Sequence, residues 1–238
     1  MIIQIGIRLS RCKVKVSLKM GNEIDLLAKY PKTKRDLKSR AAQKTENDRR
    51  LARQFGQDFF DGDRRHGYGG LNYDPKYWGA VVRDIIDFYS LGPGSKILDV
   101  GCAKGFMLVD LLSALPEAQV TGIDVSEYAI SQAHESVADF VQVGDARSIP
   151  FPDNSFDLVI SINTIHNLVR DDLIKSLQEI TRVSTGAAFI TVDAFRNDLE
   201  KQAMFAWNLT AETILSVSEW EKLFIEAKYD GDYYWFIP

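Results

Sequence analysis

The residues from Lys96 to Leu112 read Lys-Ile-Leu-Asp-Val-Gly-Cys-Ala-Lys-Gly-Phe-Met-Leu-Val-Asp-Leu-Leu. A short apolar run over 96–100 predicts a buried strand, and the apolar pattern over 106–115 predicts a helix. Gly101 and Gly105 allow the backbone between them to turn sharply and approach a ligand, and a helix start offers unpaired N–H groups. This stretch therefore predicts a ligand-binding turn between a strand and a helix.

The same alternation of strands and helices continues towards the C-terminus. Strands and helices that alternate at this spacing are typical of a mostly parallel sheet with helices on both faces. We therefore predict an α/β fold with a doubly wound, Rossmann-like sheet over residues 95–238, with ligands bound beyond the carboxyl ends of the strands. The further predicted strands are 119–124, 139–143, 157–162, 187–192 and 232–237, and the further predicted helices are 127–135, 171–183 and 217–227.

The residues that precede this domain have a different composition. Residues 1–20 contain no acidic residue and are expected to be a disordered extension. Residues 21–94 are predicted to form a helical extension, with helices over 33–55 and 75–89 and a loop rich in glycine and aromatic residues between them. Ten basic residues and three acidic ones lie between Lys29 and Arg53, so this segment carries a charge of +7 in a chain of net charge −4.

The composition of all 238 residues excludes several classes of protein. With 45% hydrophobic and 26% charged residues, the chain has enough apolar side chains for a core and is not a disordered protein. Two cysteines are too few for a disulfide framework and suit a reducing cytoplasm, where we expect the protein to be located. No apolar run reaches the roughly 18 residues of a membrane span. The net negative charge disfavours a general polyanion binder, so no nucleic-acid partner is expected.

Three predicted strands each have one acidic residue at or just after the carboxyl end of the strand. Asp99 lies two residues before the first glycine of the turn, where a carboxylate suits a ligand with an ammonium group. Asp124 lies 19 residues after Gly105, where an acid can accept hydrogen bonds from both hydroxyls of a ribose. Asp145 follows the third strand, where it can accept a proton from an exocyclic adenine amine. Each acid alone is compatible with a surface carboxylate, but the three in this order predict a nucleoside site.

Two common nucleotide motifs are not matched. The dinucleotide fingerprint G-x-G-x-x-G requires glycines where Ala103 and Phe106 stand, which disfavours an NAD-dependent oxidoreductase. The P-loop sequence is absent as well. In the glycine-rich loop before the domain, Arg65 stands where an EF-hand requires an oxygen ligand, so no metal site is predicted.

The segment from Ser95 to about Ile237 resembles the class I S-adenosylmethionine-dependent methyltransferases of the small single-domain type. The matching motifs are D-x-G-x-x-x-G at 99–105, the acid after the second strand, Gly-Asp-Ala at 144–146 and Phe-Asp-Leu-Val-Ile at 156–160. The resemblance implies S-adenosylmethionine as the cofactor. Two departures are Ala103, where the family usually has glycine, and a short C-terminus, which is expected to reduce the last antiparallel hairpin to one strand. The cofactor-binding residues that the resemblance implies are Asp99, Gly101, Ala103, Gly105, Asp124, Val125, Asp145, Ala146 and Asn163.

Catalysis by methyl transfer requires a base only where the acceptor must lose a proton. His166, a few residues after the fourth strand, titrates in the range of a general base near neutrality, and Asp193 after the fifth strand is a second candidate. The alternative for His166 is a polar residue at a helix start that faces the cofactor cleft. The sequence Asn163-Thr164-Ile165-His166 lacks the [DN]-P-P-[YFW] motif, which disfavours methylation of a base amine in nucleic acid.

The loop at 61–70 combines glycine, charge and aromatic residues and is predicted to be a lid or substrate loop. The alternative is that the helical extension simply packs against the sheet. The residues expected to contact the substrate are Tyr68, Tyr73, Trp78, Trp207 and Asn208.

These observations predict methyl transfer to a small-molecule or carbohydrate-like acceptor, with an anionic acceptor favoured by the basic segment. Two alternatives are retained. In a macromolecular methyltransferase acting on RNA or protein, the basic helix would contact the substrate, and affinity for RNA would fall with salt. A non-catalytic protein would bind the cofactor without turnover.

Overall fold

The structure, a computed structural model, describes residues 20–31 and 44–237. Within these residues the chain forms one seven-stranded sheet in the order β3-β2-β1-β4-β5-β6, and β7 also pairs with β5. Each strand pair runs parallel, which confirms the predicted α/β fold. The strands are β1 (Lys96–Val100), β2 (Gln119–Asp124), β3 (Val141–Val143), β4 (Leu158–Ile162), β5 (Ala188–Phe195), β6 (Leu215–Ser216) and β7 (Asp232–Phe236).

Helices flank the sheet and precede it. They are α1 (Glu46–Ala52), α2 (Gln57–Phe60), α3 (Pro75–Trp78), α4 (Val81–Phe88), α5 (Phe106–Ala114), α6 (Glu127–Ser131), α7 (Arg170–Val183), α8 (Asp198–Trp207) and α9 (Val217–Ala227), with 3₁₀ turns at Glu135–Phe140 and Ile165–Asn167. In the described part of the chain, none of the helices has the length and apolarity needed to cross a bilayer.

Two apolar clusters hold the helices on the sheet. In one cluster, Leu108 of α5 and Ile85 of α4 are fully buried with Ile160 of β4. In the other, Leu177 of α7 and Trp220 of α9 are fully buried against β4 and β5. Full burial of one such side chain contributes about 1.5–3 kcal/mol. Since β1 lies between β2 and β4, the strand order reverses at β1, and the carboxyl ends of β1 and β4 border the crevice where such sheets bind ligands.

The helical extension differs from its predicted form. The helix expected over 75–89 is broken into α3 and α4, because Gly79 ends the first piece and Ala80 begins the second. The helix expected over 33–55 ends at Ala52 in the structure, since Phe55 has a φ of +47° that a helix does not accommodate. Its beginning, and the extension predicted for residues 1–20, lie outside the described residues except for Met20.

Within the sheet domain, three predicted boundaries were wrong. The helix predicted over 127–135 ends at Ser131. A 3₁₀ turn at Glu135–Phe140 includes the first two residues of the strand predicted over 139–143, so that strand begins at Val141. The strand predicted over 187–192 extends to Phe195. Helix α8 was not predicted, because its exposed Leu199 and Phe205 leave no clear apolar face in the sequence.

The C-terminus ends in one strand, as expected, but that strand is not antiparallel. Strand β7 runs parallel to β5, with Phe189 opposite Asp232 and Asp193 opposite Phe236. Two parallel strands need a crossover connection between them, and α9 forms the last part of the connection from β5 to β7.

Candidate active site

The turn after β1 is built from residues in the left-handed region. Gly101 has a φ of +88°, Ala103 of +51° and Gly105 of +77°. The N–H groups of Gly101 and Cys102 both donate to the carbonyl of Ile123 on β2. None of the side chains in the described part of the protein caps the start of α5, where Gly105 is the N-cap residue. The first N–H groups of α5 are thus presented at the carboxyl edge of the sheet, where they suit a carboxylate.

Ala103 accommodates the backbone conformation that the family usually assigns to glycine. Its φ of +51° lies in the small left-handed region open to L-residues. Its N–H donates to Asp124 Oδ2 at 2.8 Å, so the loop and the end of β2 are joined directly. The departure from glycine therefore leaves the turn intact.

Asp124 is oriented by two main-chain donors. Its Oδ2 accepts from Ala103 and its Oδ1 accepts from the Ser126 N–H at 2.8 Å. Burial raises the pKa of Asp124, and these two hydrogen bonds partly offset the effect. Because each carboxylate oxygen holds more than one lone pair, both oxygens retain capacity to accept from a ribose diol.

Asp99 is a buried acid without a protein partner. Its side chain is 5% exposed, and no hydrogen bond from a residue in 20–31 or 44–237 reaches its carboxyl group. Burial, and secondly the negative charge of Asp124, raise the pKa of Asp99 to about 8. A buried polar group without a partner is rare in native proteins. The positive α-ammonium group of S-adenosylmethionine would stabilise the ionised form of Asp99 and provide its missing hydrogen-bond partner, so the residues present fit that cofactor.

We expect the Asp99→Asn variant to become more stable relative to the wild type as the pH rises from 4 to 8. The folded-state pKa of Asp99, about 8, lies above its ordinary value of 3.8, so the group's contribution to stability is complete below pH 3.8, falls as the pH rises from 3.8 and is lost once the pH has passed 8. Asparagine does not ionise and removes this loss. Urea unfolding of both proteins across this pH range measures the difference. A difference that does not vary with pH would contradict an elevated pKa.

Three further residues predicted to bind the cofactor lie beyond β2 and β3. Val125 is 57% exposed at the end of β2. Asp145, followed by Ala146, accepts hydrogen bonds from the main chain and guanidinium of Arg147. The side-chain hydrogen bond from Arg147 is the main cause that lowers the pKa of Asp145. The adenine contact expected for Asp145 stays a prediction, and it would have to share this carboxylate with Arg147.

The turn after β4 contains Asn163 and His166. Asn163 has a φ of +53°, and its side-chain oxygen accepts from Thr191 Oγ1 at 2.9 Å. His166 is 5% exposed and its Nδ1 accepts from the Asp193 N–H at 3.0 Å. The carbonyl of His166 accepts from the N–H groups of Glu212 and Thr213. His166 is therefore fixed on both its ring and its backbone.

The structure brings the two catalytic candidates, His166 and Asp193, into one buried pair. His166 Nε2 lies 3.9 Å from Asp193 Oδ2. Burial lowers the pKa of His166 and raises the pKa of Asp193, so both directions favour a neutral pair. Nδ1 of His166 already accepts a hydrogen bond from the main chain. This arrangement suits a residue that holds a turn, and a catalytic role for the pair stays a prediction.

Residues 44–71 contain the loop at 61–70 that was predicted to be a lid or substrate loop, and we call the whole segment the lid, although that role stays a prediction. It contacts residues that follow β1 and β2. Lys104, in the turn after β1, is 8% exposed at its side chain and pairs with Asp61 at 2.8 Å. Asp61 also accepts from Tyr128 Oη at 2.6 Å, and Ser126 Oγ donates to the carbonyl of Phe55. These contacts connect the lid to the turn after β1 and to the residues after β2.

The other end of the lid is held beside the elements that follow β4 and β5. Arg53 Nε lies 2.9 Å from Glu212 Oε1, and Lys44 Nζ donates to the carbonyl of Trp207. The main chain at Glu212 in turn bonds to His166. The lid therefore crosses the carboxyl edge of the sheet from the β2 side to the β5 side.

The five residues predicted to contact the substrate occupy different environments. Tyr68 is 46% exposed and stacks on Phe60 within the lid, with ring centroids 6.0 Å apart. The hydroxyl of Tyr73 donates to Asp110 of α5. Tyr68 thus packs within the lid and Tyr73 contacts α5, and a substrate role for them stays a prediction.

The other three residues of that group lie elsewhere. Trp78 packs edge-on against Tyr30 in the helical extension. Trp207 contacts Phe236, and Asn208 closes a turn through hydrogen bonds with Ala211. The structure therefore does not gather the five side chains into one pocket.

Sequence reasoning did not assign a role to Asp61, Lys104 or the pair of Asp48 and His66. The one local signal was a charged Lys104 within an otherwise apolar and glycine-rich motif. The partners of these residues lie 18 to 43 positions away in the chain, and no periodic pattern indicates which residues pair at that distance.

Comparison with known proteins agrees with this geometry. Residues 97–185 match a family model described as a methyltransferase domain. The fold is similar to that of the YcgJ protein from Bacillus subtilis, with a TM-score of 0.50 and 22% identity over 61% of this chain and 66% of that one. These residues form a class I S-adenosylmethionine-dependent methyltransferase domain. S-adenosylmethionine is accordingly the cofactor of the domain.

The curated relatives that this methyltransferase domain matches act on different molecules, by their names. A demethylmenaquinone methyltransferase of Symbiobacterium thermophilum is 30% identical over 60% of this chain and 59% of its own length. A fatty-acid O-methyltransferase of Mycolicibacterium smegmatis is 35% identical over 42% of this chain and 38% of its own. The chain thus spans about three fifths of the length of the first relative and about two fifths of the length of the second.

Proposed function

We propose that the protein transfers the methyl group of S-adenosylmethionine to a small-molecule acceptor. The observation that carries the proposal is the buried, unpartnered Asp99 beside the oriented Asp124, at the mouth of a turn built from left-handed residues. The named relatives support a small acceptor, since theirs are a quinone and a fatty acid. Lys44, Arg49 and Arg50 on and beside α1 support an anionic or carbohydrate-like acceptor within that class.

The residues of this chain have separate tasks in the proposed reaction. Asp99 would hold the ammonium group of the cofactor, Asp124 the ribose and the start of α5 the carboxylate. The bound cofactor supplies an electrophilic methyl group on a sulfonium sulfur. The lid excludes water from the edge of the sheet and holds the acceptor in line, which are the main sources of rate in a displacement of this kind.

We expect Asp124→Ala to weaken S-adenosylmethionine binding by about 1.5–3 kcal/mol, the range for hydrogen bonds to a charged group. This corresponds to a Kd about 10- to 150-fold higher. Asp139→Ala is the matched control, because Asp139 is an exposed acid before β3. Calorimetry with both variants, and with NAD as a ligand that should not bind, provides the measurement. Equal affinities in wild type and Asp124→Ala would contradict the ribose assignment.

Incubation with methyl-labelled S-adenosylmethionine and a fractionated extract of the source organism tests the activity. Label in a small-molecule fraction supports the proposal. Label in nuclease- or protease-sensitive material would favour a macromolecular methyltransferase instead. Tight cofactor binding without any labelled product would favour the non-catalytic alternative.

A further inference from the structure

Helix α1 carries an acidic residue that pairs with a histidine, and it lies beside the elements that follow β4 and β5. Lys44, just before α1, contacts Trp207, and Arg53, just after it, pairs with Glu212. Glu212 and its neighbour bond to the turn after β4 through the main chain. Helix α1 is thus fixed beside the elements that follow β4 and β5, whereas the turn and acids that fit the cofactor follow β1 and β2. Asp48 lies in the middle of α1.

Asp48 and His66 form an oriented pair within the lid. Asp48 Oδ1 lies 3.1 Å from His66 Nε2. The other oxygen, Oδ2, accepts from both the N–H and the hydroxyl of Thr45 at 2.7 Å. Asp48 is 3% exposed, and the His66 side chain is 14% exposed. The hydrogen bonds from Thr45 are the main cause that holds the pKa of Asp48 below its ordinary value, so this carboxylate is ionised.

The second ring nitrogen of His66 is shielded and unpaired. An ionised Asp48 only accepts hydrogen bonds, so its position 3.1 Å from Nε2 favours the tautomer with the proton on Nε2 and the lone pair on Nδ1. No residue in 20–31 or 44–237 bonds to that Nδ1. A shielded acceptor without a partner costs about 1–3 kcal/mol. His166 differs, since its Nδ1 is already used by the Asp193 N–H.

We propose that His66 is the general base of the reaction, with Asp48 as its positioning residue and an acceptor bearing an ionisable O–H or N–H group as its partner. The proposal rests on the proposed function. The proton of the acceptor passes to His66 Nδ1, the acceptor atom bonds to the methyl carbon, and the electron pair of the broken S–CH₃ bond stays on sulfur. Asp48 stabilises the imidazolium that forms. The other charged groups facing the pair are Asp63 and Arg65.

Carbethoxylation by diethyl pyrocarbonate tests whether His66 faces the crevice, and it needs no acceptor. The chain has three histidines, so mass spectrometry follows each one. We expect His66 to react and S-adenosylhomocysteine to slow that reaction several-fold, with free N-acetylhistidine in the same tube as the reference. An unreactive His66, or one that bound S-adenosylhomocysteine does not protect, would overturn the proposal. Calorimetry on the same sample reports separately whether the nucleoside binds.

A pair of variants tests the chemistry in the labelled-extract assay. Glutamine at position 66 keeps an N–H donor for Asp48, so we expect His66→Gln to fold. It has no basic nitrogen in the place of Nδ1, so it cannot act as a base. We expect it to lower label transfer about 100-fold or more with cofactor affinity unchanged, since general-base catalysis contributes about 10²–10⁴-fold. Added imidazole is expected to restore part of the transfer to His66→Ala. Normal transfer by His66→Gln, or imidazole rescue of His166→Ala instead, would overturn the assignment.

Discussion

Replacing Gly101 by alanine is expected to lower the free energy of unfolding by about 3–5 kcal/mol, the sum of backbone strain and overpacking. A Cβ atom at this position would lie 2.1 Å from Thr164 Oγ1 and 2.3 Å from its Cγ2. The residue also has a φ of +88°. Thr164 begins the turn that carries His166, so the turn after β1 and the turn after β4 would both have to move. In a domain of this size the change corresponds to a fall in Tm on the order of 10 °C.

Gly94→Ala provides the matched control for this prediction. Gly94 has a φ of +80°, close to that of Gly101, but an added Cβ would meet no atom within 4 Å. It therefore carries the left-handed strain of about 1–2 kcal/mol without the clash. Thermal and urea unfolding of both variants separate the cost of the backbone strain from the cost of the clash with Thr164. A similar decrease in the free energy of unfolding of the two variants would show that Thr164 moves aside without cost. The contact between the two turns would then not contribute to stability.

The turn after β1 was predictable from sequence because its determinants are local. An apolar run, two glycines and a helix start lie within ten residues, and β1 and β2 have the bounds predicted for them. The order of three acids after successive strands predicts a nucleoside site in the same way, and that assignment stays a prediction. The backbone conformation of Ala103 is also local, since one small side chain fits the left-handed region.

The lid was not predictable in this way. Its loop was recognised by composition, but its contacts are made by single side chains that meet residues far along the chain, such as Asp61 with Lys104. The buried state of His166 follows from the extended β5 and from Glu212, which bonds to it. Neither feature leaves a periodic pattern. The sequence therefore indicated His166 as a base from its residue type and its position after β4. In the structure, His66 is the histidine with a ring nitrogen, Nδ1, to which no described residue donates a hydrogen bond.

We expect Asp61→Ala to lower the free energy of unfolding by about 3 kcal/mol, because it leaves the Lys104 ammonium buried with only the carbonyl of Leu71. Asp63→Ala is the control in the same loop, since Asp63 and its partner Arg65 are both exposed and their pair contributes little. Urea unfolding measures both variants. A loss for Asp63→Ala as large as that for Asp61→Ala would contradict a specific role of the buried pair.

The pH dependence of the same variant gives an independent check. Burial opposes ionisation of Asp61, but hydrogen bonds from Lys104, Tyr128 and Leu71 outweigh it and hold its pKa below the ordinary 3.8. A lowered folded-state pKa contributes stability that is present above pH 3.8 and is lost as the pH falls through the folded value. The difference between wild type and Asp61→Ala is therefore expected to shrink in acid. A difference that stays constant down to pH 3 would assign the loss to packing rather than to charge.

Removing Lys104 as well distinguishes a costly unpaired charge from a lost contact. If the loss in Asp61→Ala arises from the stranded ammonium, Lys104→Met in that background is expected to restore part of the stability, since methionine fills similar space without charge. The lid would nonetheless stay detached from the turn after β1. Amide hydrogen exchange in residues 55–71 is therefore expected to remain fast in the double variant although its unfolding free energy recovers. Recovery of both together would mean that the lid is held by its aromatic and main-chain contacts, and that Lys104 and Asp61 only neutralise each other.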